Sequence, residues 1–510
     1  MRRSLLSLGL VWLVGCGEGA MPPPADFDVN VNGFSFQNYT NDSAGMVTNL
    51  TPADLHRMFG DAVCASGSGP ACSLTPPARE FMEQLSNGMN GGHCEGMAVL
   101  SLRMYLNQQS PMMFGGSTTH MLSLAGNEAL QREIGYWFTL QAVEPVRSAR
   151  IPGTPMEQVD RLRASFMGNG ERYTIGFFKS DMTGGHAVTP YAVREEGGMI
   201  QIVVYDNNFP SMERVIQVDP NANTWQYEAA ANPGNPASLY TGDASRPTLL
   251  LIPMSVRTQP LVCPMCGNIQ MNSTRTVATV GDANTLITDD MGRRLGHMGD
   301  TLVEEIPGAQ VIPLVSDDLW NDESEPLYQV PAGGDLSIEL SADDTSAPAS
   351  LSSSGAGYYL GVENVQLEPG QVDTVVLSGA VPGIQYETAG METADIVLAI
   401  TTEAADWAIV LRSRGDSAGQ LIFAELSLAD GLLHFGFEGA DSASEFDMEL
   451  VRVDGATDLE FSHANIPVPN GAQLRLDYGA FDTDGEMLVL SIDVDGDGMP
   501  DDSVDLIDEP

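Results

Sequence analysis

The stretch GMNGGHCEGMAVLSLRMYL, residues 88–106, joins a glycine-rich loop to an apolar segment and places Cys94 where the two meet. Apolar side chains recur at helical spacing after Cys94, which predicts a helix that begins at Cys94, ends near Asn107 and buries that stripe. The thiol then lies at the positive end of the helix, which favours the thiolate, the form that attacks carbonyl carbon. A cysteine in this position is a candidate nucleophile if a histidine and an orienting side chain arrive from elsewhere.

Helical patterning extends on both sides of this stretch. One helix is predicted to start at Thr51, where threonine, proline and an acid follow in order, and another runs from Pro76 to about Ser86. Residues 127–143 have helical periodicity, and residues 154–167 open with threonine and glutamate at capping-box spacing. The first part of the chain is therefore predicted to be mostly helical.

The next part changes to strand patterning. Three segments rich in β-branched and aromatic residues are separated by turn clusters: RYTIGFFK at 172–179, GHAVTPYAVR at 185–194 and MIQIVVYD at 199–206. Further strands are predicted at 212–219 and 247–253. Because the connections are short, we expect these strands to form an antiparallel meander.

The hairpin formed by the second and third of these strands carries a histidine and an aspartate. If Arg194 pairs with Met199, His186 lies opposite Asn207 and beside Asp206. A one-residue shift, or a bulge at one of the two glycines of the EEGG turn, instead puts Asp206 on the face of His186. In either register, a histidine and a carboxylate are adjacent at the open end of the hairpin.

GGHCEGMA with its helix, GHAV around His186 and YDNN around Asp206 resemble the papain-like superfamily of cysteine peptidases, in a bacterial version. The resemblance covers about residues 75–215 and is distant, because the cathepsin signature around the cysteine is absent. It implies an α+β domain with helices first and an antiparallel sheet second. It also implies a triad in which Cys94 is the nucleophile, His186 the base and Asp206 the group that orients the imidazole.

The resemblance further implies a side-chain amide ahead of the cysteine that donates to the oxyanion. The backbone N–H of Cys94 is one donor, and the nearby amides are candidates for the other: Gln84, Asn87 and Asn90. Asn207 or Asn208 is an alternative to Asp206 as the orienting group. The same triad also serves transglutaminase-like acyl transfer and amide hydrolysis, and none of these reactions requires a cofactor.

The N-terminus has the pattern of an export signal. Two arginines precede an apolar run at residues 5–14, which is too short to cross a bilayer, so residues 1–15 read as a signal peptide. The ending LVGC resembles the lipobox of bacterial lipoproteins and implies cleavage before Cys16, which then carries lipid. Residues 16–26 would be the tether of a cell-envelope lipoprotein, at the outer membrane or cell surface. The alternative is an ordinary signal peptide with a chance cysteine.

The remaining cysteines fall into two close pairs. Cys64 and Cys72 bracket seven residues, and Cys263 and Cys266 form CPMC. In an exported protein, such pairs are more often disulfides than metal ligands. A zinc site at CPMC needs a second ligand pair, which the sequence does not supply. We therefore expect two disulfides and leave Cys94 as the free thiol.

Charge divides the chain into two unlike halves. The formal net charge is −46. Residues 1–260 have 23 acidic and 16 basic side chains, a balance of −7, whereas residues 261–510 have 46 acidic and 7 basic ones, a balance of −39. Such a chain is a poor partner for nucleic acid, because phosphate has the same sign of charge. The acid-rich half suits calcium or a salty medium.

The acidic half reads as short strands divided by Gly, Ser, Asp and Pro. We therefore expect a papain-like domain at 27–260, a linker or β-rich region at 261–334 and one or two acidic β-sandwich-like domains at 335–510. The final loop resembles the DxDxDG calcium loops of EF-hand, dockerin and thrombospondin-type repeats, and its carboxylates would bind calcium: Asp493, Asp495, Asp497 and Asp501. Residues 482–485 (DTDG) are a weaker version. The alternative is an acidic turn or a disordered tail.

Together these patterns predict a lipid-anchored, extracytoplasmic cysteine hydrolase. A peptidase is expected, acting on a peptide or protein substrate through Cys94, His186 and Asp206 and a thioester acyl-enzyme. One rival hypothesis is a non-catalytic, calcium-dependent surface binding or adhesion protein with a degenerate papain-like domain. The other is a transglutaminase-like acyl transferase.

Overall fold

The computed structural model describes most of the chain. The described residues are 26–41, 47–168, 170–180, 182, 184–229, 238–281, 283–299, 301–315, 325–342, 348–391, 393–414, 418–438, 444–455, 458–469, 471–481 and 487–509. The predicted signal peptide, the predicted lipidation site Cys16 and the weaker acidic loop at 482–485 lie outside these ranges. Within them, no helix combines the length and the apolar character needed to cross a membrane.

The helices lie in the first third of the chain. They are α1 (Val29–Asn32), α2 (Pro52–Phe59), α3 (Pro76–Gly88), α4 (Cys94–Tyr105), α5 (Glu128–Thr139) and α6 (Pro155–Phe166). Helix α4 begins at Cys94 as predicted, and α2, α3, α5 and α6 confirm the other helical predictions. At the start of α6, Thr154 and the Glu157 side chain cap each other's N–H groups, as the capping-box spacing indicates.

The strands of the first 260 residues form a small hairpin and one large sheet. The strands are β1 (Cys64–Ser66), β2 (Ser73–Leu74), β3 (Ile151–Pro152), β4 (Tyr173–Phe177), β5 (His186–Glu196), β6 (Met199–Asp206), β7 (Glu213–Asp219), β8 (Thr224–Ala229), β9 (Ser238–Asp243) and β10 (Leu249–Pro253). The sheet has the order β3-β10-β4-β5-β6-β7-β8-β9, and its pairs are antiparallel. The predicted meander is therefore confirmed, with β10 returning beside β4.

The register of the β5–β6 hairpin differs from the simple pairing that the sequence favours. Gly197 and Gly198 alone form the turn, with φ of 61° and 86°, so Glu196 pairs with Met199. The predicted pairing of Arg194 with Met199 is therefore wrong. A bulge does occur, but it lies between Pro190 and Ala192 instead of at the turn glycines.

The bulge decides which side chains share a face at the open end of this hairpin. Beyond it, Val188 pairs with Asp206. Directly opposed residues share a face of the sheet, and so do residues two positions apart along one strand. Asp206 therefore lies on the same face as Val188 and His186.

Helix α4 is buried on all sides. Every residue from Cys94 to Leu102 is buried, and Thr189 Oγ1 of β5 donates to the Ala98 carbonyl oxygen at 3.0 Å. A Cβ on Gly96 would lie 2.1 Å from the Ile134 carbonyl oxygen of α5. Only glycine permits this close approach of α4 and α5, so the helix that carries Cys94 is clamped between α5 and the sheet.

Beyond β10, the described part of the chain consists of strands and their connections, without an α-helix. Its strands are β11 (Arg275–Val280), β12 (Asn284–Asp289), β13 (Arg294–Met298), β14 (Thr301–Glu304), β15 (Gln310–Ile312), β16 (Leu327–Val330), β17 (Leu336–Ser341), β18 (Ala349–Gly355), β19 (Tyr358–Val365), β20 (Val372–Leu377), β21 (Gly383–Thr388), β22 (Asp395–Thr401), β23 (Asp406–Ser413), β24 (Gln420–Ser427), β25 (Leu432–Glu438), β26 (Ser444–Val453), β27 (Asp458–Val468), β28 (Gln473–Asp477), β29 (Met487–Asp493) and β30 (Asp502–Ile507). They form two antiparallel sheets with the orders β15-β16-β11-β18-β19-β22-β23-β26-β27 and β14-β13-β12-β17-β20-β21-β24-β25-β28-β29-β30.

These two sheets pack as one sandwich. From β17 onward the chain adds strands to the two sheets in turn, and the inward side chains of both sheets form one hydrophobic core. Residues 275–312, in the region predicted as linker or β-rich, form β11 to β15 and pair with later strands of the same sandwich. The predicted mixed α+β, sheet-rich class is confirmed at that level.

Candidate active site

Cys94 is the first residue of α4 and is completely buried. The four cysteines of the two predicted pairs form disulfides, Cys64–Cys72 and Cys263–Cys266, as predicted. Cys94 is not part of a disulfide. Its Sγ lies 3.5 Å from the carbonyl oxygen of Val315. The candidate nucleophile is therefore reduced and lies against a backbone carbonyl group from a distant part of the chain.

His186 and Asp206 form a buried, hydrogen-bonded pair at the open end of the β5–β6 hairpin. His186 Nε2 lies 2.8 Å from Asp206 Oδ1, and both side chains are at most 1% exposed. Burial alone would raise the pKa of the Asp206 carboxyl, but the charge and hydrogen bond of His186 lower it below its ordinary value. The Tyr227 hydroxyl and the Asn208 N–H also donate to this carboxylate and lower its pKa further.

This arrangement selects one tautomer of the imidazole. An ionised Asp206 is an acceptor only, so the nitrogen that faces it, His186 Nε2, carries a proton. In the neutral ring Nδ1 is then the basic nitrogen. A carboxylate that fixes the ring in this way is the arrangement that a cysteine–histidine mechanism requires.

Asn207 connects the cysteine element to the histidine element. Its Nδ2 donates to the carbonyl oxygen of Cys94 at 3.0 Å and to that of Ala187 at 3.1 Å. Because one nitrogen binds both carbonyls, the start of α4 and the start of β5 are held together. Among the three predicted orienting groups, the structure places Asp206 on His186 Nε2 and gives Asn207 this connecting position.

Gln141 is a second side-chain amide near Cys94, which shares the Val315 carbonyl oxygen with the thiol, and the sequence analysis missed it. Gln141 Nε2 donates to the Val315 carbonyl oxygen at 3.2 Å, and the Val315 N–H donates to Gln141 Oε1 at 2.9 Å. The oxygen that faces the thiol therefore also accepts a side-chain amide proton. Gln141 follows Cys94 in the chain, so a search for amides ahead of the cysteine had no signal that pointed to it.

The three amides that were predicted as oxyanion donors lie elsewhere. Gln84 and Asn87 line a separate cleft beside Tyr359 and Glu363 of β19, where α3 meets the sandwich. Asn90 is exposed. The structure thus places Gln84 and Asn87 at the contact of α3 with the sandwich, and Gln141 beside Cys94.

Glu95 forms a buried ion pair next to the candidate nucleophile. Its Oε1 lies 2.5 Å from Arg257 Nη2, both side chains are completely buried, and the same guanidinium nitrogen donates to Thr174 Oγ1 at 2.8 Å. Glu95 lies in the first turn of α4, where an acid also suits the helix dipole. In the structure it fastens the start of α4 to β4 and to the segment after β10.

His93 supports the same helix start from the loop side. Its backbone N–H donates to Asn38 Oδ1 at 2.7 Å, and its ring stacks on Tyr39 with centroids 4.0 Å apart. Burial lowers the pKa of His93 to about 4. The residue therefore belongs to the scaffold of the loop.

The predicted calcium loop joins β29 to β30. Asp493, Asp495 and Asp501 each offer a carboxylate oxygen, and these oxygens lie within 4.8 Å of one another, so their chemistry fits a hard cation. The two Asp493 oxygens also accept the N–H groups of Gly496 and Gly498, at 2.8 and 2.7 Å. A β-hairpin loop therefore holds the acids, without the flanking helices of an EF-hand.

Comparison of the chain with protein-family models, with curated proteins and with solved structures finds no match. The functional argument therefore depends on the geometry around Cys94 alone. That geometry combines a buried thiol outside the disulfides, a histidine oriented by an ionised carboxylate, a connecting asparagine and an amide beside the thiol.

Proposed function

We propose that this protein is a cysteine hydrolase, a peptidase, that acts through Cys94, His186 and Asp206. The export signal and the lipobox-like LVGC sequence favour a lipid-anchored protein outside the cytoplasm. The observation that carries the proposal is the pair of hydrogen bonds from Asn207. They hold the helix start that bears Cys94 against the strand start that bears His186.

The first step of the proposed reaction forms a thioester. His186 Nδ1 accepts the proton of the Cys94 thiol, and the thiolate attacks the carbonyl carbon of a bound peptide. Asp206 stabilises the imidazolium that results, because the two groups are buried and already hydrogen bonded. Gln141 Nε2 is placed to donate to the carbonyl oxygen as negative charge develops on it. The imidazolium then protonates the departing amine.

The second step hydrolyses the thioester. A water molecule enters the place of the departed amine, and His186 Nδ1, now neutral, accepts its proton as the oxygen attacks the thioester carbon. The carbon–sulfur bond breaks, and the proton on His186 returns to the sulfur. An amine in place of water would give acyl transfer by the same groups, so the acceptor decides between the two outcomes.

The test of this function is the pH dependence of Cys94 alkylation. Iodoacetamide is reacted with the folded chain between pH 5 and pH 9, and peptide mapping follows Cys94 alone. An ordinary thiol with a pKa near 8.5 loses reactivity about tenfold per pH unit below that value. We expect the wild-type rate to persist to about pH 6, because His186 stabilises the thiolate.

The His186→Gln variant should return the profile to that of an ordinary thiol, which the urea-unfolded chain supplies as a reference. His434→Gln, in β25 of the sandwich, is the matched control and should keep the wild-type profile. If wild type and His186→Gln share one profile, the thiol is not activated and the proposed hydrolase is excluded.

A further inference from the structure

Arg275 places a positive charge inside the sandwich. Its side chain is 1% exposed, and its Nη1 donates to the Ser378 carbonyl oxygen at 3.1 Å, which joins β11 of one sheet to the end of β20 in the other. Within the described residues, Nη2 has no hydrogen-bond partner and no carboxylate forms an ion pair with this guanidinium. A buried cation of this kind destabilises a fold unless an opposite charge is brought to it.

Two hydroxyl groups on the same face of the sheet are buried as well. Tyr358 and Ser353 are 0% exposed, and within the described residues neither hydroxyl makes a hydrogen bond of ordinary geometry. Val277 of β11 pairs with Ser353 of β18, and Gly355 of β18 pairs with Tyr358 of β19. Directly opposed residues share a face of the sheet, and so do residues two positions apart along a strand. Arg275, Ser353 and Tyr358 therefore all face the core.

Gly355 allows the Tyr358 hydroxyl to approach the arginine. A Cβ on Gly355 would lie 2.6 Å from Tyr358 Cε1 and 2.8 Å from the hydroxyl oxygen, so the ring lies across this glycine. Strand β18, which carries Gly355, lies between β19 and β11. The hydroxyl is therefore displaced from its own strand towards the strand of Arg275.

The pKa of Tyr358 reports the same proximity. Burial raises this pKa, while the charge of Arg275 and the nearby Ser353 hydroxyl lower it in part. Because the pKa remains above its ordinary value, the phenol keeps its proton at neutral pH and is a hydrogen-bond donor. Arg275, Tyr358 and Ser353 thus form one buried group of donors, here the Arg275 cluster.

The chemistry of the Arg275 cluster fits a negatively charged acceptor. Each member offers an N–H or O–H group, and one member carries a positive charge, so a cation would be repelled. Water can accept these hydrogen bonds but cannot balance the charge. A single positive charge matches a monovalent ion, and neighbouring strands that lie about 5 Å apart leave room only for a small one. We propose that the Arg275 cluster binds a small monovalent anion of halide size, with chloride as the natural ligand.

The proposed anion site lies close to the junction of the two halves of the chain. The turn that follows β18 binds the segment after the second disulfide: the Gly357 N–H donates to the Met265 carbonyl oxygen at 3.0 Å, and the Gln270 N–H donates to that of Ala356 at 2.9 Å. Met265 in turn belongs to the hydrophobic cluster that contains Cys94. A bound anion would therefore stabilise the end of the sandwich on which the N-terminal region rests. The inference does not depend on the proposed hydrolase.

The first experiment measures chloride binding directly. Purified full-length chain is dialysed to equilibrium against radioactive sodium chloride, with sodium gluconate added to keep the sodium concentration high and constant. High sodium is needed because a net charge of −46 otherwise excludes anions from the protein compartment. We expect saturable binding of one chloride per chain, which bromide displaces and the bulky gluconate does not. Binding that is absent, or that rises without saturation, would overturn the proposal.

Variants test whether the Arg275 cluster holds the ion. Tyr358→Phe keeps the ring but removes one donor to a charged ligand, so the dissociation constant for chloride should rise roughly tenfold or more. Tyr359→Phe is the matched control, because Tyr359 lies on the opposite face and donates to Glu363 at 2.8 Å; it should bind like wild type. Arg275→Gln should abolish binding, and if that variant does not fold, the tyrosine pair decides. Equal affinities in Tyr358→Phe and wild type would overturn the assigned site.

The second experiment locates the ion. Crystals of the full-length chain grown in sodium bromide reveal the anion through its anomalous scattering. We expect a bromide peak in contact with Arg275 Nη2, Tyr358 Oη and Ser353 Oγ. A water molecule at this place, without an anomalous signal, would overturn the proposal, and so would bromide bound only elsewhere on the chain.

Discussion

The Cys94 centre and the acidic loop after β29 are both sets of reactive side chains, but they are built in opposite ways. Cys94, His186 and Asp206 come from a helix and two strands, and their partners come from other elements again. The acids of the loop are near neighbours in one hairpin and bond to the backbone of that hairpin. A short acidic turn forms from local sequence alone. Cys94, His186 and Asp206 come close together only when the whole N-terminal region folds. Their proximity is therefore the stronger indication of function.

The largest expected effect concerns the ion pair that fastens the start of α4. Arg257→Met leaves the Glu95 carboxylate completely buried without its cation, and removing one partner of a buried pair costs about 3–5 kcal/mol. We expect urea unfolding to show a loss of this size in the free energy of unfolding. Arg57→Met, which breaks a half-exposed pair with Glu133, is the control and should cost less.

Replacing both partners tests whether the pair is needed only for its charge balance. Glu95→Leu/Arg257→Met should recover much of the lost free energy of unfolding, because an apolar pair replaces an ion pair. If Arg257→Met has the same free energy of unfolding as wild type, the Glu95–Arg257 pair holds α4 less firmly than its burial indicates. The contrast between the Cys94 centre and the acidic loop would then lack support.

The next effect concerns the orientation of His186. Asp206→Asn keeps the shape of the side chain but removes the charge that holds the proton on Nε2. We expect the rate of Cys94 alkylation at pH 6 to fall about 100-fold. Tyr227→Phe removes only one hydrogen bond to the same carboxylate and should lower the rate less. Equal rates of Cys94 alkylation in Asp206→Asn and wild type would show that Asp206 does not contribute to the reactivity of the thiol.

A smaller effect is expected in the acid stability of the fold. The pKa of Asp206 is lowered on folding, so its stabilising contribution is complete above the ordinary carboxyl pKa, about 3.9. It is lost as the pH falls below that value towards the lower folded pKa. The free-energy difference between wild type and Asp206→Asn should therefore shrink between pH 5 and pH 2. Urea unfolding at both pH values measures it, and a constant difference would contradict the lowered pKa.

The smallest effect is expected at the acidic loop. Calcium at about ten times its dissociation constant would stabilise the fold by about 1.4 kcal/mol, seen as a small rise in Tm. The rise should disappear in Asp493→Asn/Asp495→Asn, while the alkylation rate of Cys94 stays at the wild-type value. If the alkylation rate of Cys94 depends on calcium, the Cys94 centre and the acidic loop are coupled, and they are then not two independent regions.

Local sequence patterns predicted most of the elements around the candidate site. The helix start at Cys94, the capping box at Thr154 and the strands that carry His186 and Asp206 are all present. The pairing of the hairpin was not predicted correctly, because the prediction considered a bulge only at the turn glycines, whereas the bulge lies at Pro190, a residue that does not fit a regular inner strand. The position of Gln141 was also missed, because an amide approaches Cys94 only when the segment after α5 folds back against it.

The sequence by itself determined the helix and strand types, the two disulfide pairs, the charge contrast and the three residues of the proposed triad. These depend on periodicity, on spacing and on residue chemistry, which act over short stretches of chain. Only the tertiary structure decided that Asp206 shares a face with His186, that Glu95 meets Arg257, and that Val315 covers Cys94. Each of these depends on register or on contacts between distant segments, which the packing of the whole chain selects.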